Sequence, residues 1–205
     1  NNGKGIFQNI GLFAGVALST EGRPYSGMGT NFGDFDNDGD LDIVVTNFQD
    51  QTNSLYQNEQ HAFFNEVSFS KGIGGKSLPY LAWGVDFVDL NNDGWLDLFI
   101  ANGHLDHNIS DIDPVGTYAQ RNQIFVNQKG QAFIDQSETI LVQKQVSRGT
   151  AFGDLDNDGD IDVVVSNLNA QPVILWNVTE NNNNWFIIKL VGISDNHSAI
   201  GTRVK

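Results

Sequence analysis

The chain has 205 residues, of which 25 are acidic and 11 basic, giving a formal net charge of −14, and it contains no cysteine. That length suits one sizeable β domain or a portion of a larger repeat array. The acidic balance argues against nucleic acid or an anionic membrane as a partner and invites cations. With no disulfide to help, bound metal is the candidate cross-link for a secreted protein of this kind, and no stretch approaches the roughly 20 apolar residues of a membrane span.

In chain order, the opening Asn1-Asn2-Gly3-Lys4-Gly5-Ile6-Phe7 has a pattern that returns at Asn127-Gln128-Lys129-Gly130-Gln131-Ala132-Phe133. It is therefore expected to close a third strand and supply a fourth to an earlier repeat. The first full repeat runs from Met28-Gly29 through Phe32, Asp34, Asp36, Asp38-Gly39 and Asp42 to Ile43-Val44-Val45 and Asn47. The same offsets return from Trp83-Gly84 through Phe87, Asp89, Asn91, Asp93-Gly94 and Asp97 to Asn102. They return again from Arg148-Gly149 through Phe152, Asp154, Asp156, Asp158-Gly159 and Asp162 to Asn167. Each copy is followed by an apolar segment closing on Asn58, Asn127 or Asn177, and the first two continue into Ala62-Phe63-Phe64 and Ala132-Phe133-Ile134.

The leading Asp recurs at 34, 89 and 154, a spacing of about 55 to 65 residues, within the range of propeller and solenoid repeats. Short β-branched or aromatic runs bounded by Asn, Asp and Gly argue strands, and four per unit favour propeller blades over solenoid coils. The expected fold is all-β: β-propeller blades of four antiparallel strands, about three of them plus a partial one, with repeats at about 11–69, 70–136 and 137–180. Three blades cannot close a ring that typically needs about 4 to 8. The open edges are expected to be covered by more chain, a second domain or another subunit.

The chemistry sits in the Asp loops. The spacing Asp-x-Asp/Asn-x-Asp-Gly-x-x-Asp turns alternate side chains of a tight loop towards one point, Gly permits the turn, position 7 adds a carbonyl, and the last Asp returns from the next strand. The expected Ca²⁺ ligands are Asp34, Asp36, Asp38 and Asp42 with the Asp40 carbonyl. The second set is Asp89, Asn91, Asp93 and Asp97 with the Trp95 carbonyl, and the third Asp154, Asp156, Asp158 and Asp162 with the Asp160 carbonyl. About three structural calcium ions are expected, the second site binding most weakly because it has fewer carboxylates. An EF-hand would need Glu at position 12 and flanking helices; that position holds Val45, Ile100 or Val165. Plain solvated Asp-Asn-Gly turns would not need four or five clustered carboxylates, whose mutual repulsion raises their pKa values unless a cation intervenes.

These residues resemble the calcium-binding blades of FG-GAP/VCBS proteins, of the kind found in integrin alpha-chain propellers. Phe32-Gly33 and Phe152-Gly153 match the "FG", whereas the second copy has Phe87-Val88 and the "GAP" element is absent. Beyond about residue 180, Trp185-Phe186-Ile187-Ile188-Lys189-Leu190-Val191-Gly192 and Asn196 to Val204 look like the opening of the ASPIC/UnbV domain of proteins similar to cartilage acidic protein. Residues 181–205 are thus expected to begin, and not complete, such a domain. The resemblance implies a secreted or surface-exposed protein with structural calcium and no established reaction; a periplasmic location is the alternative.

The middle repeat carries an insertion of about fourteen residues near His104 to Tyr118, and long blade loops are where propellers bind things. His104, Asp106 and His107 within it are candidates for a binding site, or for a transition-metal or catalytic one; the plainer reading is a loop packed on its own blade or on a neighbour, with His104 hydrogen-bonded to backbone. Asn108, Asn177 and Asn196 head glycosylation-type sequons. The favoured function is a non-catalytic adhesion or scaffold module presenting loops to a protein or glycan partner. The alternatives are part of a secreted carbohydrate-active enzyme, against which the lack of any catalytic motif speaks, and a surface polymer subunit that self-associates through open sheet edges.

Overall fold

The computed structural model of the protein describes residues 5–180, 183–186, 188–193, 196–200 and 202. Its elements are almost all short strands. After a single helical turn, α1 (Gly11–Ala14), the first sheet comprises β1 (Thr30–Gly33), β2 (Asp42–Val45), β3 (Ser54–Asn58) and β4 (Phe64–Glu66) in the order β1-β2-β3-β4. A second turn, α2 (Gly74–Ser77), leads to β5 (Ala82–Val88) and β6 (Asp97–Asn102); α3 (Ile109–Ile112) and β7 (Gln120–Arg121) follow, then β8 (Gln123–Asn127) and β9 (Phe133–Asp135). The second sheet is β5-β6-β8-β9. Finally α4 (Ser137–Ile140) and β10 (Lys144–Gln145) precede β11 (Ser147–Gly153), β12 (Asp162–Asn167) and β13 (Val173–Leu175), a sheet of three strands, while β7 and β10 form a two-stranded ribbon.

All strand pairs are antiparallel, and the register repeats: Phe32 lies opposite Ile43, Phe87 opposite Leu98 and Phe152 opposite Val163. The three sheets are therefore successive propeller blades, each a meander whose first strand is innermost. The expectation of all-β architecture holds, with four one-turn helices as the only helical structure among the described residues. The fourth strand expected at Asn1–Phe7 rests partly on residues 1–4, outside the described residues; Ile6 and Phe7 are exposed and outside any strand.

Packing between blades makes the core. One cluster joins Phe35, Val44 and Leu55 of the first blade to Leu98, Ile100, Phe125 and Phe133 of the second, and another joins Phe99 and Ile124 of the second to Val163 and Val165 of the third. Each such fully buried side chain contributes about 1.5–3 kcal/mol. Because the middle blade is covered on both faces, all six residues of β6 are buried, whereas β2, covered on one face, alternates buried with half-buried. The inner strands approach so closely that a Cβ on Gly29 would stand 2.2 Å from the Trp83 carbonyl oxygen, and one on Gly33 2.6 Å from the Phe87 side chain. Glycine is what lets β1 lie against β5.

Candidate metal centres

Each Asp loop is the β1–β2-type connection of its blade, and the three are built alike. Asn37, Asn92 and Asn157 take left-handed backbone with φ of 58°, 55° and 65°, and Gly39, Gly94 and Gly159 follow at 95°, 83° and 96°. Asn tolerates that region and Gly has no Cβ to oppose it. The resulting curl points backbone N–H groups at the leading carboxylate: Asp34 accepts from the N–H of Asp38 at 3.1 Å and of Gly39 at 3.0 Å. Asp89 accepts from Asp93 and Gly94 at 3.1 and 2.8 Å, and Asp154 from Asp158 and Gly159 at 3.2 and 3.1 Å.

The last Asp of each loop opens the second strand and is fully buried. Asp42 accepts from the N–H of Phe35 at 3.0 Å and of Asn58 at 2.8 Å; Asp97 does so from Leu90 and Asn127, and Asp162 from Leu155 and Asn177. One carboxylate thus fastens its own loop to the end of the third strand. Burial pushes Asp42 and Asp97 up to about 7, only partly offset by those N–H groups. Asp36 is raised as well, by burial first and then by the charge of Asp38.

Carboxylate oxygens of Asp34, Asp36 and Asp42 lie within 4.8 Å of one another, and those of Asp154, Asp156 and Asp162 do the same. Three hard oxygens at that spacing suit a divalent cation of calcium's size, which takes about 6 to 8 ligands at 2.3–2.6 Å. The middle loop shares the frame but has the Asn91 amide in place of one carboxylate, donating to Asp93 at 3.2 Å, and among the described residues no three acidic side chains meet there within that spacing. The position-5 residues behave differently from the first and last: Asp38, Asp93 and Asp158 turn a carboxylate oxygen to the N–H of Asp40, Trp95 and Asp160 at 2.8 to 2.9 Å. The Asp160 side chain reaches the neighbouring blade, where the Asn92 amide donates to it at 2.5 Å.

What sequence reading missed is that these loops also join blades. The closing Asn127 donates to the Leu96 carbonyl of its own loop at 2.9 Å and to the Phe35 carbonyl of the preceding blade at 2.8 Å. Asn177 repeats this with Ile161 and with Leu90 of the preceding blade, at 3.3 and 2.7 Å, so its amide is engaged, which disfavours glycosylation at that sequon. Asn37 donates to the Gly94 carbonyl at 3.1 Å. The signal in the sequence is the return of Asn58, Asn127 and Asn177 at the close of each apolar segment.

The insertion is organised differently. His104 is 3% exposed, its Nδ1 accepts from the Asp106 N–H at 3.0 Å, and its ring meets the edge of Phe48. The Asp106 carboxylate accepts from the Asn108 N–H at 2.9 Å and lies 4.0 Å from Nδ1 of exposed His107, which packs on Tyr118. His104, Asp106 and His107 make no three-ligand group among the described residues. Arg148, whose guanidinium stacks on Trp83 at 4.4 Å, donates to the carbonyls of Gly103 and His104 at 2.9 and 3.0 Å, tying the start of the insertion to the third blade.

The model of the FG-GAP-like repeat matches residues 34–100 and 108–165, more than half of the chain. The chain belongs to this family. Both matched stretches begin or end on the elements just described, and the family is one of repeat modules built from such blades. No curated protein matches the chain. Among the described residues no helix is long and apolar enough to cross a membrane.

Proposed function

We propose that the three Asp loops are structural calcium sites and that the chain is a calcium-stabilised part of a larger extracellular propeller, presenting blade loops to a protein or glycan partner. The observation that carries this reading is the convergence of Asp34, Asp36 and Asp42, and of Asp154, Asp156 and Asp162, within 4.8 Å. Such groups repel one another strongly unless a cation lies between them. In the first loop the ligands are Asp34, Asp36, Asp38 and Asp42 with the Asp40 carbonyl; in the second Asp89, Asn91, Asp93 and Asp97 with Trp95; in the third Asp154, Asp156, Asp158 and Asp162 with Asp160. Magnesium suits the loops less, since it prefers fewer protein ligands and a stricter octahedron.

Three bound divalent ions would take the formal charge of −14 to about −8. Residues 181–205 are read as the start of an ASPIC/UnbV-like segment; residues 181, 182, 187, 194, 195, 201 and 203–205 within it lie outside the described residues. The apolar Ile43-Val44-Val45 and Val163-Val164-Val165 runs suit strands covered on both faces, as β6 is, which favours further blades on either side.

The test is a thermal melt and a calorimetric titration of metal-depleted protein with Ca²⁺ and with Mg²⁺. A Ca²⁺-selective rise in melting temperature through about 10⁻⁴ to 10⁻³ M, the range of extracellular modules, supports the reading. Equal or absent responses to the two ions would overturn it.

A further inference from the structure

The two interfaces between blades are filled unequally. In the first, Phe133 of β9 is 4% exposed, its ring centroid lies 5.7 Å from that of Phe35, and it completes the cluster containing Val44, Leu55 and Phe125. By repeat position, Leu90, Phe99, Ile124 and Leu175 are the counterparts of Phe35, Val44, Leu55 and Phe125 at the second interface. There an apolar groove of about 410 Å³ lies open, lined by those four residues together with Ile140 and Leu141. The third blade has no fourth strand among the described residues, and no strand residue among them stands where Phe133 stands in the second.

We propose that Phe186 is the occupant of this groove, with its segment adding as the fourth strand of the third blade, so that the ASPIC/UnbV-like reading applies to the chain after that strand. Its approach is already marked. The hairpin between β8 and β9 places Gly130 against Asp36, the third residue of the first loop: a Cβ there would lie 2.9 Å from the Asp36 Cα. At the second interface the Asn183 amide donates to the carbonyl of Asn91, the third residue of the second loop and itself on the groove wall, at 3.1 Å. Asn183 thus takes the place of Gly130, and three residues on from each come Phe186 and Phe133. Trp185 holds the segment from the other side, its ring so close over Gly159 that a Cβ there would fall 1.9 Å from it. Phe186 itself stands 79% exposed, three residues along the chain from the contact of Asn183 with the groove wall. Docking removes both exposed surfaces from water and caps the edge of β13, which would otherwise template other strands.

The Asn183 contact sets the register, with a hairpin three residues longer than that between β8 and β9, since Asn183 follows its closing Asn by six residues and Gly130 by three. Because Phe125 lies opposite Asp135, two residues after Phe133, Leu175 should lie opposite Ile188, two residues after Phe186. The chain has no cysteine, so a Leu175→Cys/Ile188→Cys variant reports without background. Under mild oxidation an intramolecular disulfide is expected in monomeric protein; a disulfide-linked dimer, or no bond, overturns the proposal. Independently, Phe186→Ala should lower the melting temperature by about 10 °C, as emptying an aromatic seat does in a domain of this size, while Ile193→Ala, at a fully exposed position, leaves it unchanged. Wild-type melting for Phe186→Ala would also overturn the proposal, as would strong binding of an apolar dye to the unmodified protein.

Discussion

Removing metal should invert the usual dependence of stability on pH. Asp42 and Asp97 are fully buried and held at about 7 in the folded chain, against 3.8 for an ordinary aspartate. A raised folded-state value means that protonation favours folding: the contribution is complete below about pH 4 and is lost as the pH rises through about 7. At about 1.36 kcal/mol per unit, a displacement of roughly three units is worth about 4 kcal/mol per carboxylate. That figure is a ceiling, since the loops can relax and admit water. Even half of it, over two sites, is a large share of the roughly 5–15 kcal/mol that holds a domain together. The assay is urea unfolding of metal-depleted protein from pH 5 to pH 8, repeated in millimolar Ca²⁺. Metal-free protein should be markedly more stable at pH 5, and calcium should raise stability most at pH 8, where both carboxylates are charged. Metal-free stability that is flat or rises between pH 5 and pH 8 would refute the electrostatic argument.

Further expectations concern the joints between blades. Asn127→Ala strands two carbonyls and the Gly130 N–H that Asn127 now satisfies and should cost about 3–5 kcal/mol by urea unfolding; Asn58→Ala, which loses the Leu41 carbonyl and the Gln60 N–H at an exposed site, should cost about 1 kcal/mol. Gly33→Ala drives a methyl into Phe87 and should destabilise by about 1–3 kcal/mol, whereas Gly153→Ala at the same repeat position meets nothing within 4 Å and should be neutral or slightly stabilising in the same assay. Arg148→Lys keeps the charge but loses the stacking on Trp83 and the fork onto Gly103 and His104; a melt should show a loss of about 1–3 kcal/mol, and unchanged melting would assign Arg148 no role in joining the second and third blades.

Repetition made most of this fold legible. Three copies of Phe, Asp, Gly and apolar residues at fixed offsets specify a strand, a tight loop and a second strand, because each residue type meets one local requirement: an aromatic facing the neighbouring sheet, oxygens turned inward, a left-handed turn. Asp42, Asp97 and Asp162 were readable as the returning carboxylates for that reason. What escaped was set by contacts between repeats. Nothing local distinguishes Asn127 as a link to Phe35, since the two are far apart in sequence and meet only when blades stack. The insertion offered two readings, ligands or a packed loop, and the contacts of His104 with the Phe48 ring and the Asp106 N–H go with the second. Asp38 and Asp158 matched the ligand spacing, yet in the structure they also brace the turn through Asp40 and Asp160.

The double duty of the loops has a mechanical side. The buried aspartate of each loop grips the N–H of the closing asparagine, and in the second and third blades that asparagine grips the preceding blade. Loop and seam are therefore coupled in series. A pull that peels one blade from the next must first distort the loop behind it, so whatever stiffens the loop stiffens the seam. An array built this way resists tension as a set of rivets rather than as a sheet of glue, and its seams loosen one rivet at a time.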